Sequence, residues 1–203
     1  MVFVVIDGLD ASGKSTQALE LYKFIRDQRK TALLRFHPAP DNLFGAKAKQ
    51  FLYSSGKSAH FAAALFYMAD VIRSILLYSW RRYEYIIFVR YLMGTAYLPP
   101  PLDRIAYNFF SAVVPTSQHM FFLDVSPTVA ERRLRENREK LEMFENINEL
   151  EETRLKALSL ASGNKWTIID ADQPIGNIQE LMRKSLSTPS TEPEQEKLPV
   201  QAT

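Results

Sequence analysis

The sequence predicts an α/β fold built on a five-stranded parallel sheet, and three observations carry that prediction. Five short runs rich in β-branched and aromatic residues punctuate the chain: Val2 to Ile6, Ala32 to Phe36, Tyr85 to Val89, Met120 to Val125 and Trp166 to Ile169. Their apolar character is continuous rather than alternating, the habit of strands buried on both faces of a parallel sheet. The intervals between them leave room for the crossover helices that parallel strands need.

The helices follow from periodicity. Ser15 to Arg29 spaces Ala18, Leu19, Leu21, Tyr22 and Ile25 at three- and four-residue intervals, predicting an amphipathic helix directly after the first strand. Ser58 to Trp80 is apolar nearly all round. Thr128 to Leu160 is long, charged and periodic, and is expected to break near Asn137 or Asn146. Residues 1–186 read as one domain. From Ser187 to Thr203 the chain is dense in Pro, Ser and Glu with no apolar face, and is expected to be a disordered tail. No internal repeat is visible.

Composition narrows the function. The 203 residues are 46% hydrophobic and 24% charged, which suits one core-bearing domain and excludes a fibrous or disordered chain. Lys and Arg total 25 against 23 Asp and Glu, so net charge gives no field suited to nucleic acid or an anionic membrane. Aromatic residues are not interleaved with a basic strand, so they read as core, not as a stacking platform for nucleic acid. With no cysteine, thiolate metal sites, disulfides and cysteine nucleophiles are excluded, in keeping with a reducing compartment. The apolar stretches Met1 to Ile6 and Phe61 to Met68 fall short of the roughly 18 residues a spanning helix needs, so no membrane segment is expected. The Met1 to Asp7 stretch lacks a charged n-region and a cleavage site, and reads as a strand of a cytoplasmic protein.

The most specific signal is Gly8-Leu9-Asp10-Ala11-Ser12-Gly13-Lys14-Ser15, a match at every fixed position of G-x-x-x-x-G-K-[ST]. It leaves an apolar strand and enters an amphipathic helix, which lets loop amides and the helix N-terminus converge on phosphate oxygens. Gly8 and Gly13 permit the tight backbone. Lys14 would reach the β- and γ-phosphates of ATP, and Ser15 would offer its hydroxyl to Mg²⁺, with Thr16 beside it. The loop is shared by GTPases, ATPases and small-molecule kinases. The chain's one Asn-Lys pair, Asn164-Lys165, continues as Trp166-Thr167, so the guanine-reading Asn-Lys-x-Asp of a GTPase is absent.

The segment Phe3 to Gln17, with an acidic Asp7 before the first glycine and Asp10 inside the loop, resembles the start of a thymidylate kinase. Arg90-Tyr91-Leu92-Met93-Gly94-Thr95-Ala96-Tyr97 is similar to the family's Asp-Arg-Tyr segment. Phe122 to Arg132 resembles the strand and helix leading to its lid, and Phe144-Glu145 the lid's end. The resemblance spans about Val2 to Lys184. It implies a three-layer α/β/α P-loop kinase fold with a short helical lid at about 132–146. It also implies a cytoplasmic homodimer packed through helices, and transfer of the γ-phosphoryl of ATP, with Mg²⁺, to a pyrimidine nucleoside monophosphate, typically dTMP.

The departures define alternatives. Val89 stands where the family has Asp, leaving Asp7 as the nearest carboxylate to join Ser15 at the metal. Ala69-Asp70-Val71 stands for Ala-Asp-Arg, with Arg73 two positions on as a substrate-site candidate. Arg35-Phe36-His37-Pro38 only partly echoes the family's Arg-x-Pro turn. A nucleotide-binding homologue without transfer, or a kinase for another pyrimidine nucleotide or nucleoside, are the competing readings.

Phosphoryl transfer depends on positioning and charge neutralisation, so cations carry the expected chemistry. Arg90, just after an apolar strand, belongs at the carboxyl edge of the sheet where ligands bind, and is assigned a catalytic and acceptor-orienting role; the plain alternative is an exposed strand-end arginine. Ala11 shows that the loop carries no arginine of its own, which some members of the family have, so the lid is expected to supply one, Arg135 or Arg138. Arg133 and Lys140 read as parts of a solvated helix face. By resemblance Phe66 would stack on the acceptor base and Tyr97 pack on its sugar, against an alternative of ordinary core packing. His37, His60 and His119 lack metal-ligand spacing and read as structural or surface residues.

Overall fold

The computed structural model describes residues 1–53, 57–137, 147–163 and 166–187. In chain order the elements are β1 (Val2–Gly8), α1 (Lys14–Asp27), β2 (Ala32–Phe36), α2 (Leu43–Leu52), α3 (Lys57–Tyr78), β3 (Tyr85–Val89), a short 3₁₀ helix (Met93–Tyr97), α4 (Leu102–Val113), β4 (His119–Asp124), α5 (Pro127–Asn137), α6 (Ile147–Ser162), β5 (Trp166–Asp170) and α7 (Ile175–Ser187). The strands form one parallel sheet in the order β2-β3-β1-β4-β5.

Strand pleating splits the core in two. Val4 and Ile6 of β1, Ile87 and Val89 of β3, and Phe121 and Leu123 of β4 meet Leu21, Ile25, Leu134, Ile178 and Met182 from α1, α5 and α7. The intervening Val5, Ile86, Phe88, Met120 and Phe122 face Met68, Val71, Tyr107 and Leu160 from α3, α4 and α6. Side chains of successive strand residues point to opposite faces, so strands covered on both sides are apolar at every position. The central strands β1 and β3 show this most fully, while the edge strands β2 and β5 carry Arg35 and the exposed Thr167 and Ile168.

The chain leaves β1 for β2 on one side of the sheet and leaves the neighbouring β3 for β4 on the other, so the direction of the connections reverses at β1 and β3. In open parallel sheets the crevice beyond the carboxyl ends at such a reversal is the ligand site. The phosphate loop issues from that position.

The lid expectation is described only over 132–137, the last turns of α5; Arg138 and Phe144-Glu145 lie outside the described residues, as does the tail beyond Ser187. The break near Asn137 agrees with the end of α5. The helix from Ser58 is longer in apolar length than the sequence suggests: Phe61–Tyr78 has mean hydropathy 1.5 over 18 residues. One face of it packs on α2 and the sheet through residues such as Met68 and Val71, while Phe61, Leu65 and Leu76 are exposed. Its fully buried Asp70 accepts from the amide of Ala39 (2.7 Å) and from Asn42 Nδ2 (2.7 Å), tying α3 to the loop after β2. The same Asn42 caps α2 through Phe44 and Gly45 amides.

Candidate active site

The loop between β1 and α1 takes the shape its glycines allow. Gly8 (φ +149°) is packed so that a Cβ would stand 2.5 Å from the Leu123 carbonyl oxygen, and Ala11 (φ 58°) and Gly13 (φ 86°) turn left-handed. No side chain caps α1, so its first amides face the loop interior and are open to an anion. Lys14 is buried and curls over the loop, donating from Nζ to the Gly8 carbonyl (2.8 Å) and to that of Leu9, with Asp10 Oδ1 at 3.9 Å. Leu9 lends only its backbone; its side chain is core.

Two cavities adjoin this loop. One, of about 460 Å³, is lined by Ala11 to Gln17, Arg133, Gln173 and Ile175, among others. The other, of about 440 Å³, lies on the opposite side of the loop and is lined by Asp7, Asp10, His37, Tyr67 and Tyr97, among others. Ser15 and Arg90 line both. A phosphate-bearing donor in the first and an acceptor in the second would face each other at that junction.

Arg90 lies where the two cavities meet. Its Nη2 donates to Asp10 Oδ1 (2.5 Å), and Tyr97 donates to Asp10 Oδ2 (3.2 Å). Burial alone would lower the guanidinium pKa, but the adjoining Asp10 outweighs it and holds it above its ordinary value. Burial, reinforced by Asp10, pushes the Tyr97 phenol well up, and burial does the same to Tyr67, so both remain neutral donors. Tyr67 donates to the Tyr91 carbonyl (3.1 Å).

Asp7 is the one carboxylate on β1 beneath the loop, and it is largely spoken for. Oδ1 accepts from the Gly8 amide (2.9 Å), and Oδ2 from the amides of Tyr91 (2.7 Å) and Met93 (3.0 Å). Burial raises its pKa against those bonds. It therefore anchors the turn after β3, which the sequence pattern did not reveal.

Several expected positions fall elsewhere. Phe66 does not line the acceptor cavity: it stacks on Phe51 of α2 (5.7 Å, 11°), because it lies about 100° round α3 from the face carrying Ala63 and Tyr67. Tyr67 lines that cavity instead. Arg73 lines neither cavity, and its buried Nη1 has no hydrogen-bond partner among the described residues. Arg135 is on the solvent side of α5, paired with Glu131 (2.6 Å). Arg133, read from sequence as a surface residue, reaches the carbonyls of Ala11 and Ala171 (3.1 Å each) and lines the donor cavity. Its signal was its place three residues after the buried Ala130. Arg35 is engaged by Asp41 through two 2.6 Å bonds, while Phe36, His37 and Pro38 beyond it line the acceptor cavity.

Residues 6–182 match the thymidylate kinase family. The chain belongs to that family. It is 31% identical over 182 residues to a probable thymidylate kinase of Metallosphaera sedula, covering 89% of this chain and 90% of the relative. It is 28% identical to one from Pyrobaculum calidifontis, over 87% and 91% of the two chains. The thymidylate kinase of Prochlorococcus marinus is 27% identical over 91% and 94%. The structure of a thymidylate kinase from Candida albicans superposes with a TM-score of 0.68 at 18% identity, over 91% of this chain and 92% of that one, and shares the fold. As a thymidylate kinase family member the chain is an ATP-dependent nucleoside monophosphate kinase.

Proposed function

We propose that the chain transfers the γ-phosphoryl group of ATP to dTMP, giving dTDP, at the junction of the two cavities. The observation that carries this reading is that one arginine and one loop hydroxyl, Arg90 and Ser15, line both chambers. ATP occupies the chamber with Arg133, its phosphates held by the amides of residues 8–16 and by Lys14, which leaves the Gly8 and Leu9 carbonyls to meet them. The dTMP phosphate enters beside Asp10 and Arg90, with Tyr67 against the base and Tyr97 against the sugar. Arg90 releases part of its pairing with Asp10 to span both phosphates, and positioning with charge neutralisation does the rest.

The family uses ATP with Mg²⁺. A hydroxyl at the junction suits a hard cation that keeps waters and substrate phosphates as ligands, so Ser15 would hold the ion and Asp7, its oxygens being bonded to amides, would contribute at most through water. When bound, the ion would neutralise phosphate charge as the phosphoryl group moves. Arg135 or Arg138 provides the further cation when the lid shuts out water. The exposed apolar side chains of Phe61, Leu65 and Leu76 on α3, and of Ile105, Phe109 and Val113 on α4, support a homodimer through helices. The lack of cysteine suits a cytoplasmic setting.

The test is ADP formation from ATP and Mg²⁺ with dTMP, dUMP and CMP in turn. dTMP is expected to stimulate turnover most, and Lys14→Ala to lose it by a factor of about 100 or more while the fold persists. ATP binding with no acceptor stimulating turnover would instead favour a nucleotide-binding homologue, with the fully buried Val89 as the lost motif carboxylate.

A further inference from the structure

We infer that His37 is a positioning residue for phosphoryl transfer: its imidazole Nδ1–H holds the carbonyl of Arg90 and so fixes the backbone turn from which the bridging guanidinium is aimed. The inference rests on the kinase reading above.

Arg90 sits at φ 63°, a left-handed conformation that a residue with a Cβ avoids. Something must hold it. From β1 come two anchors, the Ile6 carbonyl accepting from the Arg90 amide (3.0 Å) and Asp7 accepting from the amides of Tyr91 and Met93. The third comes from the acceptor side. Phe36 pairs with Val89 in the sheet, and the ladder runs one rung further as the His37 amide donates to the Val89 carbonyl (3.0 Å). Pro38, next along, has no N–H to give. The His37 ring supplies the donor, with Nδ1 3.1 Å from the Arg90 carbonyl oxygen; since a carbonyl only accepts, the proton is on Nδ1.

The choice of histidine has a cost that reveals its purpose. With the proton on Nδ1, Nε2 is left as a buried acceptor without a hydrogen-bond partner among the described residues. The residue is 1% exposed, with its ring edge-on to Phe88 at 4.9 Å. A phenylalanine would fill that space with no Nε2 to strand, but it would leave the Arg90 carbonyl without this donor. What only histidine, or a side chain with an N–H at the same place, provides is the bond to Arg90. Because His37 and its neighbours Phe36 and Pro38 line the acceptor cavity, the contact also couples the acceptor loop to the arginine that spans both chambers.

His37→Phe keeps the ring packing and removes the donor; His37→Asn sets an amide N–H where Nδ1–H was. Steady-state kinetics with ATP and dTMP should show kcat reduced about tenfold or more in His37→Phe with KM for ATP little changed, and most of the loss restored in His37→Asn. Crystal structures of both variants give a readout that needs no turnover: Arg90 leaves its left-handed φ in His37→Phe and keeps it in His37→Asn. Wild-type kcat in His37→Phe, or an equal loss in both variants, or an unmoved Arg90 in His37→Phe, overturns the inference. Wild-type protein that makes no ADP with dTMP would sink the kinase reading alone, with Arg90 φ still deciding the role of His37. Should His37→Phe fail to fold, His37→Gln, whose amide reaches Nε2 rather than Nδ1, takes its place with the same expected losses.

Discussion

At Asp7 a single carboxylate collects three backbone amides, two of them from a turn more than eighty residues away in sequence. Asp7→Asn would keep one carbonyl oxygen for one side of that arrangement and point an N–H at an N–H on the other. A loss of about 1–3 kcal/mol in urea unfolding is expected, the cost of a buried donor left unpaired. His37 makes a pH prediction. Burial is the main cause that lowers its pKa to about 4, with Arg35 on β2 acting the same way, while Asp70 on α3 and the Arg90 and Val89 carbonyls oppose it. The unfolded chain takes up that proton near pH 6.5 and the folded one only near 4, so the unfolded state binds more protons between those values. Folding stability should therefore fall as pH is lowered from about 6.5 toward 4, and His37→Phe should flatten that part of the curve. Lys14 and Ser15 were legible residue by residue because a fixed loop geometry demands fixed residue types. The roles of Asp7 and His37 were not, because their partners are backbone groups that any sequence would carry.

At the scale of elements, helix phase decides which of two neighbours does what. Phe66 stacks on α2 while Tyr67 meets the acceptor cavity. Phe66→Ala should cost about 2–3 kcal/mol by thermal or urea unfolding, near the low end for a phenylalanine because the ring is only partly buried, and leave KM for dTMP unchanged. Tyr67→Ala should raise that KM by about tenfold, as loss of an aromatic contact to the base would. On α5, Arg133→Ala should weaken ATP binding measured by calorimetry, whereas Arg135→Ala should act on kcat. Phase could be counted from Ala130 and Leu134 once the buried face of α5 was known, but charged spacing alone did not reveal that face. Short elements escaped notice for a related reason. The buried positions of α2 are Gly45 and Ala48, where a Cβ on Gly45 would lie 1.9 Å from the Ala39 carbonyl oxygen, so close packing replaced the large apolar residues that make a helix visible. The α7 pattern of Ile175, Ile178 and Met182 carried a helical period, in a stretch too short to stand out.

For the whole molecule, sedimentation at micromolar concentration is expected to show a dimer, and Leu65→Glu on the exposed face of α3 to return it to monomer with its fold intact. A monomer in both would leave those apolar faces without a copy of the chain to cover them. The fold class was legible in the order of residues because strands buried on both faces must be apolar throughout, and the phosphate site because the loop's tight backbone and bound charge restrict its composition. Both are demands that neighbours in sequence satisfy together. The strand order, the reversal at β1 and the meeting of two chambers at Arg90 and Ser15 depend on contacts between segments far apart in the chain, such as His37 with Arg90 and Asp7 with Tyr91. No local pattern encodes such contacts: they exist only after burial of the two cores has chosen how the strands are ordered, and it is that choice that places Arg90, a strand-end cation in the sequence, where two cavities meet.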